Sequence, residues 1–380
     1  MKAVIVAPHF HPRSGGVETY TLNLAKHLTA LGWQVVIVTT TDGAEAEGMK
    51  VYRLPPVLTV SNTPVGIAWR RRLREIYQAE RPDVINGHTP VPFLADLAER
   101  AAGPVPFVLT YHNDLYKDDL AGRIITGTLQ RTIIARTLRR CRAIIATSDY
   151  YAGASRYLKG HEAKIRIVPP GVDLAVFHPA VTVSADLAAA YRGRQVIVFA
   201  GSLNKSQQYK GLDVLITAFA KVRTETERVR LVVCGEGDGL AMYRELAEEA
   251  GVAGDVDFTG FVPPGRLAEY YRLATVFAMP STNRTEGFGT VYAEAGAVGV
   301  PVVGARVGGV PSAVRDEETG LLVEPKDAGD LHRALRRLLD DEALRRRLGA
   351  AGAARARSEL DWRLLAERTS EIFAELLPAR

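Results

Sequence analysis

Residues 2–16 read Lys2-Ala3-Val4-Ile5-Val6-Ala7-Pro8-His9-Phe10-His11-Pro12-Arg13-Ser14-Gly15-Gly16. The apolar run closes at Pro8, and the Pro- and Gly-bearing stretch after it does not suit regular structure. From Val17 the period changes. Val17, Tyr20, Leu24, His27, Leu28 and Leu31 recur at helical spacing, and Gly32 stops the helix. Gln34 to Thr40 is apolar again. Strand, loop, helix, strand is a βαβ unit, with its loop at the carboxyl end of a strand, where open α/β sheets bind ligands. Gly15-Gly16 has neither the dinucleotide spacing nor that of the P-loop, so no nicotinamide or ATP site is read here. A tight turn without a ligand is the plainer alternative.

The pattern repeats outward. Asp83–Gly87, Pro106–Tyr111, Ala143–Thr147 and Lys164–Val168 are short apolar runs separated by helical stretches, as in a parallel sheet buried on both faces. Two runs end in polar residues, Asn86-Gly87-His88-Thr89 and Tyr111-His112-Asn113-Asp114, which places His112 on the same rim as Gly15-Gly16. The Pro169–Pro179 stretch has no periodicity and reads as a linker. A second series follows at Gln195–Ala200, Val229–Cys234, Val256–Phe261, Val276–Pro280, Pro301–Ala305 and Gly320–Val323. The expected fold class is α/β, two Rossmann-like doubly wound domains. Residues 1–176 form the first and 177–360 the second. The helix in 361–380, with Asp361 as N-cap and a stripe of Trp362, Leu365, Thr369, Ile372, Phe373 and Leu376, needs a partner surface.

Within the second series, residues 280–304 concentrate the chemistry. Glu286 is followed by Gly287-Phe288-Gly289-Thr290, and Glu294 lies eight positions on, in a helix-compatible stretch. A loop opening a helix offers free N–H groups and a positive dipole end, which suit a phosphate. Lys205 and Lys210 lie on the same rim. Two cations and a helix N-terminus converging on one point make a diphosphate site, although each lysine alone reads as solvated.

Composition narrows the classes. The chain of 380 residues is 47% hydrophobic and 24% charged, an ordinary globular balance with room for two domains. The net charge of +5 gives no specific sign of nucleic-acid binding. Cys141 and Cys234 match no metal or redox spacing and read as reduced thiols of a cytoplasmic protein. No run approaches a membrane span. Two basic stretches, Trp69–Tyr77 and Arg131–Arg142, fit either sheet-covering helices or peripheral contact with the inner face of a membrane.

Taken in order, Gly15-Gly16-Val17-Glu18, Pro170-Gly171-Val172-Asp173 with Phe177-His178-Pro179, Lys210-Gly211, Gly260-Phe261-Val262, Glu286-Gly287-Phe288-Gly289 with Glu294, and Gly308-Gly309-Val310-Pro311 resemble the GT-B retaining glycosyltransferases of family 4. The likeness runs over nearly the whole chain. It implies two domains facing across a cleft, with the last helix crossing back to the first. It also implies a nucleotide-diphosphate sugar donor held by the second domain, and neither a cofactor nor a metal. Carried onto this sequence, Glu286 and His112 contact the donor sugar, and Lys210 neutralises the diphosphate. Gly287, Phe288, Gly289 and Thr290 bind through backbone N–H groups. Glu294 takes the ribose, Val262 the base, and Gly16 approaches the phosphates. The family's usual Arg is replaced by Ser202, and Lys205 is the candidate to supply the missing charge. The acceptor is not readable. Two rivals remain, a nucleotide-sugar 2-epimerase of the same fold and a non-catalytic sugar-nucleotide binder.

Overall fold

A computed structural model of the chain describes residues 1–13, 15–43, 48–60, 62–117 and 119–377. Ser14 of the first loop and residues 378–380 of the tail, both within stretches read from sequence, lie outside the described residues. The chain packs as two units, Met1–Pro170 with Trp362–Arg380, and Gly171–Asp361.

In the first unit the strands are β1 (Lys2–Val6), β2 (Gln34–Thr39), β3 (Lys50–Arg53), β4 (Leu58–Val60), β5 (Thr63–Val65), β6 (Val84–His88), β7 (Phe107–Tyr111), β8 (Ala143–Ala146) and β9 (Ile165–Ile167). Seven of them form a parallel sheet in the order β3-β2-β1-β6-β7-β8-β9, while β4 and β5 pair separately as an antiparallel hairpin. The strands are apolar on both faces because helices cover both. Val4, Val6 and Ile85 pack with Trp69, Leu73 and Leu138 on one side. Ala3, Ile5 and Val108 pack with Tyr20, Leu24, Leu28 and the returning helix Trp362–Glu375 on the other. That helix buries Trp362, Leu365, Thr369, Ile372 and Phe373, so its stripe is covered within the first unit.

The two basic helices are sheet covers. Trp69–Glu80 turns Trp69, Leu73, Ile76 and Tyr77 into the core and leaves Arg70, Arg71, Arg72 and Arg74 outside. In the other, Ile134 and Leu138 are buried. The apolar faces read as available to a membrane are therefore occupied by the protein itself. No helix among the described residues is long and apolar enough to cross a membrane.

The second unit has β10 (Gln195–Ala200), β11 (Val229–Cys234), β12 (Val256–Gly260), β13 (Val276–Met279), β14 (Val302–Ala305) and β15 (Gly320–Val323), all parallel in the order β12-β11-β10-β13-β14-β15. Strand order reverses between β10 and β13, as it does between β1 and β6 in the first unit. Ligands of open α/β sheets bind at such a reversal, beyond the carboxyl ends of the strands. Residues 171–176, read from sequence as part of the first domain, pack with the second. Val172 is buried in its core, donates its N–H to Leu360 O at 2.7 Å and bridges to Asp361. The chain thus enters and leaves the second unit at adjacent points.

Candidate functional site

The loops after β10 and β13 flank the reversal in the second unit. The first runs through a 3-10 turn, Lys205–Lys210, into the helix Leu212–Glu225. Gly211 sits at φ 76°, and a Cβ there would lie 2.0 Å from Pro280 O, so only glycine lets this turn press against the end of β13. Thr282 N–H donates to Tyr209 O at 2.6 Å and fastens the two loops together. The result brings Lys210 Nζ to 3.6 Å from Glu286 Oε2.

That separation makes an ion pair but is too long for a hydrogen bond. Glu286 is buried, and its Oε2 finds no hydrogen-bond partner among the described residues. The buried hydroxyl of Ser281 is likewise unpartnered. A buried, unbonded carboxylate oxygen costs on the order of 1–3 kcal/mol or more. The fold nevertheless fixes it there. Gly309 N–H donates to Glu286 O at 2.8 Å, and a Cβ on Gly309 would lie 1.7 Å from Gly287 O. The Gly308-Gly309 doublet is thus the floor under the Glu286–Gly289 loop, a role its sequence pattern alone did not disclose. Burial draws the Lys210 pKa down, but Tyr209 and Glu286 outweigh it, and the net direction is upward. Lys210 is held as a cation.

Gly289 caps the helix Thr290–Ala297, which carries Glu294 on its second turn. Phe288 is buried beneath it. Burial pushes Glu294 up to about 7, against a contact with Tyr271 Oη at 3.5 Å. On the other side of the reversal, Gly201 N–H donates to Cys234 O and Gly235 N–H to Gly260 O, tying the ends of β10, β11 and β12 into one edge that leads to half-buried Val262. Ser202 Oγ accepts from Asn204 Nδ2 at 2.9 Å. Lys205 is exposed. Its backbone N–H is held by Asp238 at 2.6 Å, and its side chain has no ion pair among the described residues. The structure therefore brings Lys210, Glu286 and Gly289 together but does not join Lys205 to them.

The first unit has its own rim. Gly15 precedes the helix Gly16–Ala30, and a Cβ on Gly16 would meet nothing within 4 Å. Nothing among the described residues demands glycine there. His112 follows β7 and is buried. Its carbonyl accepts from Thr147 Oγ1 at 3.1 Å. Two residues on, buried Asp114 Oδ1 accepts from Tyr111 Oη and Ser155 Oγ, each at 2.6 Å, which fixes the strand end. His112 Nε2 lies 3.1 Å from His88 Nδ1, and its ring meets the Tyr20 ring edge-on at 4.9 Å. Burial lowers the His112 pKa to about 3 and holds His88 well below its usual value, so both rings are neutral. His88 was seen in the sequence only as part of a polar strand end. Its register opposite Thr110, beside His112, is a property of the sheet.

Residues 188–355 match the family described as Glycosyl transferases group 1, and residues 14–176 the family described as Glycosyltransferase Family 4. A D-inositol 3-phosphate glycosyltransferase of Corynebacterium aurimucosum is 30% identical over 99% of this chain and 96% of its own length. The chain belongs to the GT-B glycosyltransferases of family 4. A GDP-mannose-dependent alpha-(1-6)-phosphatidylinositol monomannoside mannosyltransferase of Mycobacterium tuberculosis is 29% identical over 98% of both chains. Among solved structures, the sucrose-phosphate synthase of Thermosynechococcus elongatus superposes with TM-score 0.80 at 24% identity, covering 99% of this chain and 98% of that one. An Anabaena protein solved with UDP-glucose superposes with TM-score 0.80 at 19% identity, covering 99% and 100%. Both share the fold of this glycosyltransferase.

Proposed function

We propose that this glycosyltransferase moves a sugar, with retention of anomeric configuration, from a UDP- or GDP-sugar to an acceptor hydroxyl. The observation that carries the reading is the buried Oε2 of Glu286, which has no hydrogen-bond donor among the described residues, ion-paired with a charged Lys210 at a helix N-terminus. An orphan carboxylate oxygen calls for an O–H or N–H donor, and sugar hydroxyls supply it. A cation and N–H dipoles a few ångströms away call for an anion, and a diphosphate supplies it. A nucleoside-diphosphate sugar carries both groups in adjacent positions. The GDP-mannose dependence in the name of the mycobacterial relative supports a donor of this class.

In the reaction, the bond from the anomeric carbon to the leaving phosphate oxygen breaks and its electron pair stays on phosphate. The acceptor oxygen bonds to the same face of the carbon, and its proton passes to the leaving phosphate. Charge therefore grows on phosphate while the sugar gains oxocarbenium character. Lys210 and the N–H groups of Gly287, Phe288, Gly289 and Thr290 stabilise the first change, with protein cations rather than a metal in that role. Glu286 and His112 orient the sugar. Glu294 takes the ribose, Val262 the base through its backbone, and Gly16 admits the diphosphate close to its own backbone. Ser202 lies beside the leaving group, and Lys205, exposed on the same loop, stays outside this contact.

A lipid-linked acceptor is favoured by one observation. The helix Leu120–Leu129 exposes Leu120, Ile124 and Ile125 beside Arg123, and the β4–β5 hairpin exposes Leu58 and Val60. Incubation with UDP-, GDP- and ADP-sugars, alone and with free or vesicle-borne glycoside and polyol acceptors, tests both parts. Sugar transfer with retained configuration is expected. Interconversion of donor sugars without acceptor would identify an epimerase, and binding without turnover a non-catalytic binder. Equal activity on free and vesicle-borne acceptors would remove the lipid preference.

A further inference from the structure

Beneath His112 lies a chain of three hydrogen-bonding side chains that the reaction as described does not use. Asn86, His88 and Thr110 are all fully buried. Asn86 Nδ2 donates to Val108 O at 3.2 Å and to Thr110 Oγ1 at 2.9 Å. A backbone carbonyl can only accept, so the amide cannot be turned over: its nitrogen faces Val108 and its oxygen faces His88. Asn86 Oδ1 lies 3.0 Å from His88 Nε2. Oδ1 can only accept as well. His88 must therefore carry its proton on Nε2.

Burial disfavours a second proton on that ring, so His88 Nδ1 presents a lone pair. Two groups approach it. Thr21 Oγ1 stands 3.4 Å away, but its hydroxyl already donates to Val17 O at 2.8 Å. His112 Nε2, at 3.1 Å, is the remaining donor. His112 must then carry its proton on Nε2 in turn. Its other nitrogen, Nδ1, has a lone pair and no hydrogen bond among the described residues.

We propose that Asn86 and His88 are positioning residues that lock His112 in its Nε2–H tautomer, so that His112 meets the donor sugar as a hydrogen-bond acceptor at Nδ1. The inference rests on the placement of His112 beside that sugar in the function proposed above. The consequence is one of specificity. The sugar must offer a hydroxyl at this point, and a carboxylate or a missing hydroxyl there is disfavoured. His112 orients that hydroxyl and neither donates a proton nor supplies positive charge.

The test has two arms. Protein labelled at its histidine nitrogens is studied by long-range proton–nitrogen correlation at neutral pH, with His88 and His112 assigned through single substitutions. His112 protonated at Nε2 alone is the expected result, and protonation at Nδ1 or at both nitrogens overturns the inference. This arm needs no substrate. A protein that binds no nucleotide sugar would refute the proposed function while leaving the tautomer to be decided on its own. The second arm compares wild type, His88→Leu and His88→Asn on a donor sugar and on analogues each lacking one hydroxyl. His88→Leu should lower kcat/KM about tenfold on the complete sugar, the worth of one hydrogen bond, and have little effect on the one analogue lacking the contacted hydroxyl. His88→Asn, which can offer an amide oxygen near the position of Nδ1, should recover much of the loss. An equal loss on every donor would mark His88 as structural support alone and overturn the inference.

Discussion

In the second unit a charged Lys210 stands 3.6 Å from a Glu286 carboxylate oxygen that accepts no hydrogen bond among the described residues, whereas in the first unit His88 and His112 share one hydrogen bond and both stay neutral. The two rims are built on the same strand order around the same kind of reversal, yet they are chemically opposite. The difference lies in what each loop holds at the strand end. In the second, Gly211 and Gly309 press two loops together and bring opposite charges near each other. In the first, buried Asn86 and Asp114 satisfy their neighbours and leave a single lone pair. One rim suits charge that develops during reaction, and the other suits orientation of an uncharged group.

The largest effect should come from the charged rim. Lys210→Met and Glu286→Ala are each expected to lower kcat by about a hundredfold or more, the scale of losing one electrostatic contact made in a transition state. His112→Ala should cost only about tenfold, as an uncharged hydrogen bond does. Steady-state kinetics on the three variants test the contrast, and a His112→Ala loss equal to that of Lys210→Met would break it.

Gly309→Ala comes next. Its Cβ would lie 1.7 Å from Gly287 O, so the Glu286 loop has to move. Overpacking of this kind costs about 1–3 kcal/mol. A lower Tm and weaker donor binding are expected together, while wild-type affinity would show that the loop does not depend on this contact.

Glu294 gives a smaller, pH-dependent effect. Its folded pKa of about 7 lies above the ordinary 4.5. Between those values the folded protein holds a proton that the unfolded chain has released, so this group favours folding least once the pH exceeds 7. Donor binding runs the other way in the proposed ribose contact, since the ionised carboxylate is the better acceptor of hydroxyl hydrogen bonds. Donor affinity should rise with pH through about 7, and Glu294→Gln should flatten that rise while weakening binding above it. Titration calorimetry across this range checks both, and an unchanged slope in the variant would contradict the ribose assignment. Lys205→Ala should have the smallest effect, a few-fold in kcat, because its side chain is exposed and makes no ion pair among the described residues. A loss as large as that of Lys210→Met would instead give Lys205 the place of the missing arginine.

Much of this was legible in the sequence. The βαβ period and the apolar runs name the parallel sheets, and the spacing of Glu286 and Glu294 points to the second rim. Strand β3 and the β4–β5 hairpin were not visible. Lys50–Arg53 is only partly buried and Leu58–Val60 is exposed, so neither shows the continuous apolar run that marked the others. The Asn86–His88–His112 chain was hidden for a different reason. Its members are joined by register between β6 and β7, and register across a crossover is set by packing rather than by local pattern. The basic helices were ambiguous for a third reason. An apolar face with arginines around it looks the same whether a sheet or a membrane covers it.

Thermal unfolding with UDP, GDP and ADP, in wild type and in Lys210→Met, tests the account most directly. A ligand present at a hundred times its Kd stabilises by about 2.7 kcal/mol. At least one of the three nucleotides should raise the Tm of the wild type by several degrees, and Lys210→Met should lose most of that rise. No shift with any nucleotide, or an equal shift in the variant, would contradict the claim that Lys210 and the Glu286 loop form a diphosphate-sugar site.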